Sequence, residues 1–246
     1  MNVLILAAGY GTRLYPLVRD TPKALLPVNS KSLIDYVLEK VQHLPQLSSV
    51  LVVTNNKFCK IFDHWAQGHR NFPVKIEIIN DGTNTPADRL GSMGDINYVI
   101  KNHQIADDLL IIGGDNLFDE PLEDFLQFAR KNPPFVTIGL YDIKEKSKAK
   151  IFGVVELDPT HRLISFEEKP SQPKSSLIAM CLYFYPRASL GLVARYLLDT
   201  QRTDTAGDYI KWLYQKEPVY GFKFQGKWYD IGSVESYKEA SENFRK

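Results

Sequence analysis

The chain has 246 residues, 44% of them hydrophobic, with a formal net charge of +1 at pH 7. That length and apolar content suit one α/β domain with a sizeable core. The charge balance shows no bias towards nucleic acid or an anionic membrane face, and 13 Tyr with 13 Phe exclude a disordered chain.

No apolar run approaches the ~18 residues of a membrane span, and the chain enters a strand at once. Neither a span nor a signal peptide is expected, and the cytoplasm is the expected compartment. Cys59 and Cys181 lack metal-ligand spacing and read as buried free thiols.

In chain order, Val3–Ala7 is an uncharged apolar run, the pattern of a strand buried on both faces. Leu33, Ile34, Val37, Leu38 and Val41 recur at helical spacing. Val50–Thr54 is the next buried strand, and Phe58, Ile61, Phe62 and Trp65 mark a second helix. Ile76–Ile79 and Leu109–Gly113 are further strands, with a helix between them from Gly94 to Lys101. A helix around Phe125–Ala129 precedes the strand Phe135–Tyr141. Repeated strand–helix alternation predicts a mostly parallel sheet with helices on both faces. The second half differs: Gly153–Leu157 and Leu163–Glu167, joined by a turn at Asp158-Pro159-Thr160, predict a β-hairpin. Ala179–Tyr185, Val219–Phe224 and Lys227–Asp230 read as strands. Leu190–Leu198, Tyr209–Tyr214 and Val234–Phe244 read as helices. With no repeat or linker, a single catalytic domain over 1–246 is expected, with halves of about 1–118 and 119–246.

The first strand runs into Ala8-Gly9-Tyr10-Gly11-Thr12-Arg13-Leu14, and Pro22-Lys23 follows. Glycines after a buried strand allow a sharp turn that presents backbone N–H groups to an anion, and nearby cations suit a polyphosphate. The plainer alternative is a glycine turn with two surface cations. P-loop spacing is absent, and Leu14 stands where a dinucleotide fingerprint needs its third glycine. Asp115 follows a buried strand, where open parallel sheets bind ligands. Asp230 precedes a helix, where an acid is as often a cap.

These residues resemble the sugar nucleotidyltransferases. The stretch Leu6-Ala7-Ala8-Gly9-Tyr10-Gly11-Thr12-Arg13-Leu14-Tyr15-Pro16-Leu17, then Pro22-Lys23-Ala24-Leu25-Leu26-Pro27-Val28, is similar to that family's signature. Further matches follow in order to about Tyr237: Leu90-Gly91-Ser92, Gly113-Gly114-Asp115-Asn116, Glu168-Lys169-Pro170, Leu182-Tyr183-Phe184-Tyr185 and Trp228-Tyr229-Asp230-Ile231-Gly232-Ser233. The resemblance implies a Rossmann-like three-layer α/β/α sandwich, glycosyltransferase-A-like, with a small β-rich substrate lobe. It implies transfer of a nucleotidyl group from an NTP to a sugar 1-phosphate. Leu6, Ala8, Gly9, Gly11, Thr12, Arg13, Lys23, Gly91 and Ser92 would bind the nucleotide. Gly153, Glu168, Lys169 and Tyr183 would bind the sugar phosphate, and Asp115 and Asp230 would hold Mg²⁺. Arg13, Lys23 and Lys169 would carry the catalytic charge. The partners implied are small molecules, with neither nucleic acid nor membrane; a homo-oligomer is left open.

Three departures stand out. Ala24 and the 90–95 loop lack the glutamines that bind thymine in the family's thymidylyltransferases. Cys181 replaces a glycine common before Leu-Tyr-Phe-Tyr, and no left-handed β-helix extension is expected. The residues leave two rivals. One is a choline-phosphate cytidylyltransferase of the same fold. The other is a catalytically silent regulatory subunit, against which intact Lys23, Asp115, Asp230 and Lys169 argue.

Overall fold

The computed structural model describes residues 1–244. In chain order the elements are β1 (Asn2–Leu6), β2 (Pro27–Val28), β3 (Lys31–Ser32), α1 (Leu33–Val41), β4 (Ser49–Thr54), α2 (Cys59–Gln67), β5 (Ile76–Asn80), α3 (Ser92–Asn102), β6 (Leu109–Gly113) and β7 (Asn116–Phe118). There follow α4 (Glu123–Ala129), β8 (Val136–Asp142), β9 (Gly153–Leu157), β10 (Leu163–Glu168), β11 (Leu177–Tyr185), α5 (Gly191–Thr200), α6 (Ala206–Leu213), β12 (Val219–Phe224), β13 (Trp228–Asp230) and α7 (Val234–Asn243). They form two compact units. Residues 1–90, 112–121 and 226 onward make the first, and 91–111 with 122–225 the second.

In the first unit β1, β4 and β5 pair in parallel, Val3 opposite Val50 and Val50 opposite Ile76. Val3, Leu4 and Ile5 are fully buried, as an apolar run covered on both faces must be. The register continues at the strand end, where the Gly114 N–H donates to the Leu6 carbonyl at 2.9 Å. Helix α1 forms because its apolar residues fall on one stripe and its start is capped: the Ser32 hydroxyl accepts from the Asp35 N–H while Asp35 answers the Ser32 N–H. Such a cap is worth about 1 kcal/mol. A core of Leu14, Val18, Val28, Leu33, Tyr36, Leu117, Ile231 and Phe244 fills the space between α1, α7 and the β7–β13 pair. The Tyr36 and Phe244 rings meet edge to face at 5.2 Å.

In the second unit β9 and β10 form the expected hairpin, with Phe166 opposite Val155 and Glu168 opposite Gly153. Strand β8 pairs antiparallel with β11 and parallel with β12. The β8–β11 register breaks between Ala179 and Tyr183, and Cys181 within that bulge has φ 53°. A left-handed backbone there explains why a glycine is common at this point of the motif. Neither cysteine is fully buried; Cys59 and Cys181 are half-buried thiols outside any disulfide, a correction to the expectation of buried ones. Among the described residues no helix is long and apolar enough to cross a membrane.

The short β7–β13 pair carries Asp230 opposite Asn116 and Trp228 opposite Phe118. It is clamped by the Trp228 indole N–H, which donates to the Asn116 Oδ1 at 2.9 Å, with Asn116 itself buried. Replacing Trp228 by Phe should cost about 1–2 kcal/mol of unfolding free energy, the worth of a bond to a buried amide. Urea titration should show the lower midpoint at an unchanged slope; an unshifted midpoint would mean that the clamp is inert.

Candidate active site

The turn after β1 is held from below. Asn55, wholly buried at the end of β4, donates from its side-chain amide to the Ala8 carbonyl at 2.8 Å and accepts the Phe58 N–H through Oδ1. The two glycines of the turn are needed for different reasons. Gly11 has φ 61°, and a Cβ there would stand 3.0 Å from the Val18 side chain. Gly9 is exposed, and a Cβ on it would meet nothing within 4 Å, so its face of the loop is open. Beyond it Thr12–Leu14 makes one 3₁₀ turn that leaves Arg13 exposed.

Gly11, Thr12, Arg13 and Lys23 line one cavity of ≈ 330 Å³ with Tyr10, Leu14, Pro86, Arg89 and Gly232. Three cations around one recess of this size suit a polyanion. Arg89 is absent from the signature reading. Its loop is fixed by Asp88, whose carboxylate accepts the N–H groups of Asn84 and Thr85, and nothing in a lone Asp-Arg pair announces that turn. Tyr10 is tied to the same loop through Thr83, the hydroxyls being 3.3 Å apart, and burial raises its phenol pKa.

Asp115 lies in the turn between β6 and β7, and its carboxylate is ion-paired with the Lys23 ammonium. It is no helix cap, since α4 starts well downstream at Glu123. Asp230 is no cap either. The N-cap of α7 is Ser233, whose hydroxyl accepts from the Ser236 N–H in a reciprocal box. Asp230 therefore sits at a strand end, opposite Asn116 and one residue out of register with Asp115. Gly232 supplies the room beside it, because a Cβ there would come within 2.9 Å of the Asp230 Oδ2. One carboxylate in the turn before β7 and one at the end of its partner strand β13 are oxygen donors of the kind that fit a hard cation, with phosphate oxygens and water completing its shell. Among the described residues no group of three or more His, Cys, Asp or Glu gathers as a ready-made cage.

In the second unit, Gly153 faces Glu168 across the hairpin. A Cβ on Gly153 would lie 2.5 Å from the Phe166 ring and 3.1 Å from the Glu168 Oε2. The Glu168 side chain is 18% exposed, and its carboxylate stands 3.5 Å from the Lys169 ammonium. Burial pushes its pKa up, against the opposing pull of Lys169 and Lys211. Lys169 turns out of the strand at φ 47° and keeps its own side chain exposed. Tyr183 is buried in the core, 4% exposed, with its ring 6.2 Å from that of Tyr185; burial raises its phenol far above the usual range. Gly91 and Ser92 are engaged within the chain. Gly91, at φ 77°, lies against the backbone of Thr203 and Asp204, and the Ser92 N–H and hydroxyl both donate to the Asp204 carbonyl.

A parallel α/β unit whose first strand ends in a glycine turn, with three cations around one recess, has the make-up of an anion site. The nucleotidyl transferase family model matches residues 2–246, and the chain belongs to that family, as the resemblance to sugar nucleotidyltransferases implies. It is 30% identical over 241 residues to the bifunctional protein GlmU of Methanocaldococcus jannaschii, covering 98% of this chain and 53% of that protein. To the GlmU of Methanococcus aeolicus it is 30% identical over 94% of this chain and 51% of the relative. The chain thus spans about half the length of the curated relatives it matches. Among solved structures, a Bacillus anthracis protein assigned as a glucose-1-phosphate thymidylyltransferase superposes with TM-score 0.85 at 22% identity, covering 100% of this chain and 98% of that one. A UDP-glucose pyrophosphorylase complexed with UDP-glucose gives 0.81, also at 22%, covering 99% of this chain and 97% of that one. These bear out the fold, a mostly parallel sheet flanked by helices.

The two glycines of the turn should respond differently to a methyl group. Gly11→Ala should cost about 1–2 kcal/mol of stability, from the left-handed backbone and the Val18 contact. Gly9→Ala should stay within about 0.5 kcal/mol, like other substitutions into open space. Denaturant unfolding of both variants checks this, and equal losses would contradict the geometry.

Proposed function

We propose that this chain transfers a nucleotidyl group from an NTP to a sugar 1-phosphate, releasing pyrophosphate. The observation that carries the reading is the Lys23–Asp115 ion pair beside a cation-lined cavity, with Asp230 on the neighbouring strand. Family membership and the matched motifs support it. The whole activity of the longer relatives is not implied, since only about half of their length is shared.

A phosphate monoester has its second pKa near ~6, so the attacking oxygen is already anionic at neutral pH and needs no general base. That oxygen forms a bond to the α-phosphorus as the bond to the bridging oxygen of the β-phosphate breaks, and pyrophosphate carries away the electron pair. The protein's task is positioning and charge neutralisation. In this reading the 8–13 backbone and Arg13 hold the β- and γ-phosphates, and Arg89 adds a further cation to the same recess. Lys23 meets the charge that builds at the α-phosphate. Glu168 holds a sugar hydroxyl, Gly153 lies against the sugar, and Lys169 aligns the sugar phosphate. Asp115 and Asp230 would hold Mg²⁺, which supplies neutralisation of the triphosphate charge. Gly91 and Ser92 are proposed at the nucleobase and Tyr183 near the sugar phosphate.

A matrix of the NTPs against sugar 1-phosphates and phosphocholine, read by pyrophosphate release, tests the reading. Turnover with a sugar 1-phosphate supports it. Turnover with phosphocholine alone, or with nothing, overturns it.

The two acids should make activity depend on a divalent ion. Asp115→Asn or Asp230→Asn should lower kcat about a hundredfold or more while circular dichroism stays that of the wild type. Full activity in excess EDTA would remove the two-carboxylate site.

Arg13 and Lys23 should fail in different parameters. Charge on the β- and γ-phosphates is present before and after the transition state, whereas charge at the α-phosphorus builds only as the bonds exchange. An interaction stronger in the transition state appears in kcat, and uniform binding appears in KM. Lys23→Ala should lose mainly kcat; Arg13→Ala should raise KM for NTP with a smaller loss of kcat. Wild-type turnover by Lys23→Ala at saturating NTP would overturn its role.

A further inference from the structure

Gly207 lies in the first turn of α6, a position where glycine is a poor helix former and where no left-handed backbone demands it. The cap of that helix is supplied elsewhere, by the Thr205 hydroxyl accepting from the Asp208 N–H at 3.1 Å. What Gly207 does provide is volume. A Cβ built on it would fall 1.9 Å from the Glu168 Oε2 and 2.6 Å from its carboxyl carbon. The carboxylate occupies the place of the missing side chain. On its other side Oε2 lies 3.1 Å from where a Gly153 Cβ would be. Glu168 is thus seated between two glycines, one from β9 and one from α6.

We propose that Gly207 is the positioning residue for Glu168, and so a determinant of which acceptor substrate the chain takes. Gly153 belongs to the sequence motif, whereas Gly207 has none around it. Any side chain at 207 must displace the carboxylate, because the obstructing group is Glu168 itself. The functional half of this inference rests on the reading that Glu168 holds a hydroxyl of the sugar phosphate. The packing half does not.

A double-mutant cycle on the full chain separates the halves. Gly207→Ala should lower Tm and raise KM for sugar 1-phosphate by about ten- to a hundredfold, the worth of a misplaced bond to a charged group. KM for NTP should stay within about twofold. Added to Glu168→Ala, the same methyl meets no carboxylate and should lower neither Tm nor affinity further. Should Gly207→Ala alone fail to fold, the double variant should recover folding, and Glu168→Asp, one methylene shorter, should recover it in part. A Tm loss that persists in the Glu168→Ala background overturns the positioning role. Coupled Tm values with an unchanged KM for sugar 1-phosphate overturn the specificity role and the assignment of Glu168 to substrate, while leaving the packing contact intact.

Discussion

The first unit depends on a place where three chain segments come too close for a side chain. Gly114 donates its N–H to the Leu6 carbonyl, and a Cβ on it would stand 3.0 Å from that oxygen and 3.1 Å from the Ala24 Cβ. The end of β1, the turn after β6 and the residues around Ala24 are drawn together by that contact. Ala24 follows Lys23 and Gly114 precedes Asp115, so the same contact that closes the backbone brings ammonium and carboxylate together. The charge pair is a consequence of backbone packing. A larger residue at 114 would part the strand ends before it touched either charged group.

Close approach recurs across the chain with different purposes. At Gly114 the missing side chain admits backbone, at Gly232 it admits the Asp230 carboxylate, and at Gly207 it admits Glu168. Acids placed this way are held by shape as much as by hydrogen bonds. For a reaction that needs positioned charge and no proton transfer, rigid seating of carboxylates and ammonium groups is the main thing a protein can contribute.

Much of this was legible in the residues, for reasons that show where reading stops. Val3–Ala7 was expected as a strand and appears as Asn2–Leu6, because a run buried on both faces has no other use. The hairpin at 153–168 was visible through its turn residues. Helix α3 starts at Ser92, two residues before the expected Gly94, since its first N–H groups are satisfied by the carbonyls of Thr203 and Asp204, a cap distant in sequence. Strands β3 and β7 are two and three residues long, below the reach of periodicity. In the candidate site, residues that belong to contiguous motifs can be named from the sequence, Lys23 and Asp115 among them. Asn55, Arg89 and Gly207 cannot, since what places each beside its neighbours is made only in the folded chain. The ambiguity at Asp230 between cap and ligand could not be resolved from spacing. It took the Ser233–Ser236 box to show that the helix is capped without it.

The indole that clamps β13 to β7 has an optical side. Trp228 is two residues from Asp230, and its N–H rests on the side chain of Asn116, next to Asp115. The chain holds three tryptophans in all, and the other two, Trp65 and Trp212, lie in α2 and α6. With those two replaced by Phe, a single tryptophan would remain, on the β7–β13 strand pair that ends in Asp230 and follows Asp115. Its quantum yield and wavelength would then report on the surroundings of that strand pair, a fluorophore already built into the frame that presents Asp230.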